Sequence, residues 1–202
     1  MKVTVLGASG RAGSEITQEL AARGHQVTAV ARKPEAIPAA PGVTAVAGDA
    51  SDPVALATLI KGSEAVISAL HFDVSAETLL SALRQAGVGR LLVTGGAASL
   101  EVAPGKRLID TPDFPEDWKT MAQGGIAFLD ALRGETAIDW TFFSPAAFIF
   151  EGPRLGTFRL GGDQLVVDAA GESKISFADY ALAMVDELEQ HRHGRARFTA
   201  AY

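Results

Sequence analysis

Met1-Lys-Val-Thr-Val-Leu-Gly-Ala-Ser-Gly-Arg-Ala-Gly13 opens the chain and runs directly into Ser14-Glu-Ile-Thr-Gln-Glu-Leu-Ala-Ala-Arg23 and Gly24. Val3, Val5 and Leu6 read as a short buried strand, and the spacing over 14–23 predicts a helix ended by Gly24. Gly7, Gly10 and Gly13, with Ala8, Ser9, Arg11 and Ala12 between them, fall on the connecting turn. Bare backbone there can approach a ligand closely. The helix start behind it offers unpaired N–H groups and the positive end of a dipole, a setting that suits a pyrophosphate. The plainer alternative is a tight turn whose glycines serve packing alone. A glycine fingerprint placed between a strand and a helix favours the nucleotide reading.

The remaining composition narrows the class. At 202 residues the chain has room for one large domain, and 48% hydrophobic residues supply a substantial core. A net charge of −6 without a local Lys/Arg cluster argues against a nucleic-acid surface. The absence of cysteine removes disulfides, thiolate metal sites and cysteine nucleophiles. No apolar run approaches the ~20 residues of a membrane helix. A strand at the first residues leaves no place for a signal peptide, so a cytoplasmic protein is expected.

Downstream, residues 26–32 predict a second strand. A fold that prefers NAD places an acid about 20 residues past the glycines to hold the ribose 2′-hydroxyl. Here the tip is Ala31-Arg32-Lys33. Two cations suit a 2′-phosphate, which they hold by charge-assisted hydrogen bonds, so NADP(H) is preferred over NAD(H). A solvated basic loop is the alternative. Arg11 can reach the same phosphate or the pyrophosphate. Residues 43–48 predict a third strand, closed by Asp49 and Ala50, and Asp52-Pro53 predicts the cap and first position of a helix. Asp49 can accept from an adenine amino group or serve as a turn acid. Residues 65–70 predict a fourth strand whose small tip brings Ala69 and Leu70 under a cofactor ribose. His71 follows, as a candidate proton donor or as plain polar surface. A helix over 75–85 and a strand over 90–94 end at Thr94 and Gly95.

Alternating strands and helices predict a Rossmann-like, doubly wound parallel α/β sheet in a single domain. Residues 97–115 read as a long loop, and 116–132 as a helix weakened by Gly124-Gly125. A sixth strand over 139–143 ends in Ser144 and Pro145. Residues 146–202 predict a small C-terminal cap over the carboxyl edge. It would contain a hairpin around 161–164, a helix capped by Ser176 and a last strand. His191 and His193 read as a surface tail.

Gly7-Ala-Ser-Gly10-Arg-Ala-Gly13, Gly48-Asp49, Ile67-Ser-Ala-Leu70, Leu92-Val-Thr-Gly-Gly96, Asp110-Thr-Pro-Asp-Phe-Pro115 and Asp139-Trp-Thr141 with Ser144-Pro145 occur in one order. Together they resemble the atypical short-chain dehydrogenase/reductases, in the NAD(P)H-binding group related to NmrA-like proteins and flavin/biliverdin-IXβ reductases. The resemblance implies a sheet of order 3-2-1-4-5-6-7 with NADP across the switch point. Typical members use Tyr-x-x-x-Lys as acid and base. Here the tyrosines are Tyr180 and Tyr202, and Met184 stands four residues after Tyr180. That departure argues against alcohol–ketone chemistry and sugar-nucleotide epimerisation, though not against the cofactor.

The expected activity is therefore NADPH-dependent hydride transfer to a flat, aromatic or conjugated acceptor such as a flavin or quinone. Such an acceptor delocalises the charge it gains and can take its proton from solvent. Thr94 can hydrogen-bond the nicotinamide amide or the acceptor. Phe72, Phe114, Trp118, Phe148 and Phe150 flank the ligand edge in sequence and can line the acceptor pocket, or can simply be lid and core. A different class remains open: a non-catalytic NADP(H)-binding redox sensor acting through a protein partner. A homodimer is compatible with either, and no metal is expected.

Overall fold

The computed structural model describes residues 1–202. In chain order it contains β1 (Lys2–Leu6), α1 (Arg11–Ala22), β2 (Gln26–Ala31), β3 (Val43–Ala47), α2 (Pro53–Ile60), β4 (Ala65–Ser68), α3 (Ala76–Ala86) and β5 (Arg90–Thr94). There follow β6 (Glu101–Ala103), β7 (Lys106–Arg107), α4 (Lys119–Arg133), β8 (Asp139–Ser144), β9 (Phe148–Phe150), β10 (Arg159–Gly161), β11 (Lys174–Ser176), α5 (Phe177–Gln190) and β12 (Ala196–Ala201).

One eight-stranded sheet has the order β10-β12-β8-β5-β4-β1-β2-β3. Only the β10–β12 pairing is antiparallel. Without β10, the order β3-β2-β1-β4-β5-β8-β12 is the expected 3-2-1-4-5-6-7 when only the parallel strands of this sheet are counted, with its reversal between β1 and β4. Internal parallel strands are covered on both faces and so read as continuous apolar runs. Val3, Val5 and Leu6 obey this, each at most 1% exposed. On one face, Ile16 and Leu20 of α1 and Tyr180, Met184 and Leu188 of α5 pack with Val3, Val5, Phe143 and Phe198. On the other, Leu56 and Ile60 of α2, Leu79 and Leu83 of α3, and Phe128 and Leu132 of α4 pack with Leu6, Val66 and Phe142. Each such side chain contributes roughly 1.5–3 kcal/mol by leaving water. No helix is long and apolar enough to cross a membrane.

Several sequence expectations need adjustment. α1 begins at Arg11, not Ser14, because the Ser14 amide already donates to the Gly10 carbonyl at 2.8 Å and makes Gly10 the N-cap. Gly13 therefore lies inside the first turn. The predicted long loop over 97–115 holds the β6–β7 hairpin and a 3-10 turn, Leu108–Asp110. The expected hairpin around 161–164 does not form: Leu160 pairs with Ala200 of β12, and Gln164 bridges Glu101. The C-terminal region is also less of a cap than the sequence suggests. α5, β12 and the edge strand β10 complete the main layers, leaving only the rest of the excursion from 146 to 175, with the small β9–β11 pair, outside them. His191 and His193 are not a free tail. They bind Asp139 and Glu187 at 2.5 and 2.7 Å, next to Arg90.

Candidate functional site

The carboxyl ends of β1, β2, β3, β4, β5 and β8 meet on one edge, and the turn after β1 is its centre. The amides of Gly7 and Ala8 both donate to Val30 of β2, at 3.0 and 3.1 Å, while Ala69 donates to Leu6 at 2.8 Å. The turn is thus held between its two neighbouring strands. Gly7 has φ +76°, and a Cβ there would sit 2.5 Å from the Ala69 carbonyl oxygen. A Cβ on Gly13 would collide with the Gly7 carbonyl, so α1 packs on the turn only through a bare backbone. Gly10 differs, since its added Cβ meets nothing but Gly7 O at 3.3 Å. Space stands open in front of it. No side chain caps α1 and no acid lies in its first turn, so its leading N–H groups face that space. An anion fits there on both dipole and hydrogen-bonding grounds. The Ala8 methyl, by contrast, is buried core and its amide is already used.

At the β2 tip, Arg32 and Lys33 are exposed, and neither guanidinium nor ammonium is engaged in a salt bridge. Asp49 is exposed beside them. The Ser51 amide, donating at 2.9 Å, and the charge of Arg32 hold its carboxyl below the usual range. Its turn-acid role is visible in that bond. Ala50 is 7% exposed and packs in the core, so its side chain is unavailable to a ligand. Arg11, the first residue of α1, lies over the Phe177 ring, 5.2 Å from its centroid. An aromatic face holds the cation there.

Across the switch point lie Ala69, Leu70, Thr94, Gly95, Ser144 and Pro145. The Gly95 amide donates to the Phe143 carbonyl at 2.8 Å, closing the β5–β8 ladder at its tip. Ser144 is fully buried, and its hydroxyl has no hydrogen-bond partner. Thr94 is half-buried. His71 is exposed and nothing orients it.

The aromatic residues separate into two groups. Phe72 is a packing residue, contrary to its assignment to the acceptor pocket: its ring lies 5.6 Å from Phe128 and 6.3 Å from Phe142. Gly125 exists to admit it, since a Cβ there would come within 2.8 Å of the Phe72 ring. The glycine pair that weakens α4 in sequence is the seat for this ring. Trp118 and Phe148 are 54% and 59% exposed and remain free to meet a ligand. Phe148 stacks on Phe150 at 5.8 Å with planes 9° apart, giving a flat apolar platform on the excursion. Phe114 is half-buried in the turn before α4.

Two features carried no signal in the sequence. Asp179, fully buried, accepts from the Leu155 and Gly156 amides at 2.9 Å each and from the Tyr202 hydroxyl at 2.6 Å. It clips the excursion to the start of α5. Tyr180, one residue on, sends its hydroxyl to the Phe143 carbonyl at 2.6 Å. No spacing rule announces a tyrosine that crosses from α5 to a strand tip.

An open glycine turn at a switch point, an uncapped helix start and free cations at the β2 tip define a dinucleotide-binding protein of the Rossmann class. The chain belongs to the NAD(P)H-binding family, whose model matches residues 7–191, within the atypical short-chain dehydrogenase/reductase-like group. It is 41% identical to the uncharacterised Bacillus subtilis protein YwnB, over 98% of this chain and 97% of that one. A Bacteroides thetaiotaomicron structure, described as a candidate epimerase, superposes with a TM-score of 0.94 at 42% identity, covering 100% of this chain and 96% of the other. A candidate NADH-flavin reductase from Streptococcus pneumoniae gives 0.84 at 34% identity, covering 100% and 99%.

Proposed function

We propose that this protein is an NADPH-dependent reductase that passes hydride to a flat conjugated acceptor, with solvent as the proton source. The observation carrying this reading is the contrast between the two halves of the edge. Groups suited to a nucleotide line one half, yet no acid or base is held in place at the other, where His71 is exposed and unoriented. The tyrosine nearest to it, Tyr180, is buried and already donates to a carbonyl. Epimerisation, the activity in the name of the Bacteroides relative, needs groups that move protons at substrate carbon or oxygen. Reduction of a flavin or quinone does not, which agrees with the name of the Streptococcus relative.

When bound, the nicotinamide supplies the hydride. The chain's residues supply orientation, the main contribution a protein makes to such a step. The α1 amides and Gly10 hold the pyrophosphate, Arg32 and Lys33 the 2′-phosphate, and Thr94, Gly95 and Pro145 the carboxamide end, while Ser144, fully buried, stays out of reach of the cofactor. Asp49 accepts from adenine. Trp118, Phe148 and Phe114 cover an acceptor ring.

The test is oxidation of NADPH by the purified protein with a panel of flavins and quinones. Turnover is expected, with His71→Ala and Thr94→Val each lowering kcat less than about tenfold, because a required general acid contributes about 10²–10⁴-fold. A thousandfold loss in His71→Ala with normal NADPH binding would make His71 the acid. Tight NADPH binding without turnover on any acceptor would leave the redox-sensor reading in its place.

A further inference from the structure

The Phe143 carbonyl oxygen, at the tip of β8, receives two donors. One is the Gly95 amide at 2.8 Å, and the other is the Tyr180 hydroxyl at 2.6 Å. A carbonyl has two lone pairs, and both are used. Three elements, β5, β8 and α5, are joined at this one atom. The Tyr180 ring is itself fixed, lying parallel to Phe143 at 4.0 Å, while Phe143 lies parallel to Phe198 at 4.1 Å. From the opposite face, the Phe142 ring occupies the place a Gly95 side chain would need. The peptide leading into Gly95 and the peptide between Phe143 and Ser144 are therefore clamped from both sides of the sheet.

We propose that Tyr180 is a positioning residue for the nicotinamide half of the cofactor, setting the orientation of the Thr94–Gly95 and Ser144–Pro145 tips through the Phe143 carbonyl. This rests on the NAD(P)H-binding reading above. Burial pushes the phenol well above its ordinary value, so it stays protonated and keeps its proton on the Phe143 carbonyl. Its reach is local. Arg32, Lys33 and Asp49, assigned above to the adenosine half, follow the ends of β2 and β3, separated from β5 by β1 and β4.

That separation supplies the test. Tyr180→Phe keeps the stacked ring and deletes one donor. Calorimetric titrations compare NADPH with adenosine 2′,5′-bisphosphate, which carries the adenosine end alone. NADPH affinity is expected to fall about fivefold, the scale of one neutral hydrogen bond, while the bisphosphate stays within about twofold. Arg32→Ala is expected to weaken both. In Tyr180→Phe the Gly95 amide is expected to exchange with solvent faster, read by NMR. Equal losses for both ligands would reveal a general structural role and overturn the inference, as would no loss for either. If the variant fails to accumulate folded, exchange in the wild-type protein decides. NADPH slowing Gly95, with no slowing by the bisphosphate, supports the assignment, and the same slowing by both overturns it. Wild-type protein binding neither ligand would overturn the cofactor reading itself, a result distinct from an unaffected Tyr180→Phe.

Discussion

Gly7 and Gly10 stand three residues apart in one turn, and the physics around each is different. Gly7 combines a positive φ with a carbonyl 2.5 Å from where a side chain would begin, so even alanine forces the β1–β4 contact apart. Gly10 has φ −79° and ψ 167°, values any residue adopts, and open space beyond. Gly7→Ala is expected to lower stability by about 2 kcal/mol or more. Gly10→Val should cost about 1 kcal/mol, the scale of a poorer N-cap, yet abolish nucleotide binding. Urea denaturation beside a binding titration separates them, and a Gly10→Val protein that binds normally would remove the pyrophosphate from this turn. At the β2 tip the argument is electrostatic. Arg32→Ala should weaken NADPH by about 1.5–3 kcal/mol, as for a hydrogen bond to a charged group, and leave NADH nearly unchanged. Equal losses for both cofactors, followed by nicotinamide fluorescence, would show that Arg32 does not meet the 2′-phosphate.

Among the elements, α5 departs most from what its sequence suggests. Its apolar stripe marks it as a packed helix, and it is one, but its first turn also organises the edge. Burial alone would raise the Asp179 carboxyl. The Tyr202 hydroxyl and the Leu155 and Gly156 amides outweigh burial and hold it below the usual range. A carboxyl depressed in the folded state stabilises above its unfolded value, near ~3.9, and that contribution disappears as pH falls through the lower folded value. Asp179→Asn should therefore lose about 1–3 kcal/mol at neutral pH, with the gap to wild type narrowing only as pH falls below the ordinary carboxylate value of ~3.9. A gap independent of pH, measured by urea denaturation, would mean the carboxylate charge is irrelevant to the clip. The strand–helix alternation, the Asp52–Pro53 helix start and the glycine turn were legible because each depends on neighbours in sequence. β10 joining β12, Phe72 seated on Gly125 and Tyr180 reaching Phe143 were not, because each depends on residues brought together only by the completed sheet. The aromatic residues show this most plainly. Position along the chain put Phe72 and Phe148 on the same edge, and only packing separates a core ring from an exposed one.

For the molecule as a whole, the proposed nucleotide cradle spans Gly7 to Pro145 and draws on the tips of six parallel strands. None of these tips keeps its geometry when the sheet is lost, so a cofactor that binds here binds the folded state alone. Such a ligand stabilises by RT ln(1 + [L]/Kd), about 2.7 kcal/mol at a hundredfold excess over Kd. In a chain of 202 residues unfolding in one transition, each kcal/mol moves Tm by about 2–4 °C. NADPH at a hundred times its Kd should raise Tm by about 5–10 °C. NADH at the same concentration lacks the 2′-phosphate, and forfeiting about 1.5–3 kcal/mol of binding leaves it about 10–150-fold weaker. Its own shift should then be no more than about half as large. The two nucleotides differ only in the 2′-phosphate, so the difference between the two melting curves isolates the group that holds it, on the proposed reading Arg32 and Lys33 at the β2 tip. Added salt should shrink that difference, because both cations are exposed and screened. Equal shifts for NADPH and NADH, or a difference that ignores salt, would place the discrimination somewhere other than the β2 tip.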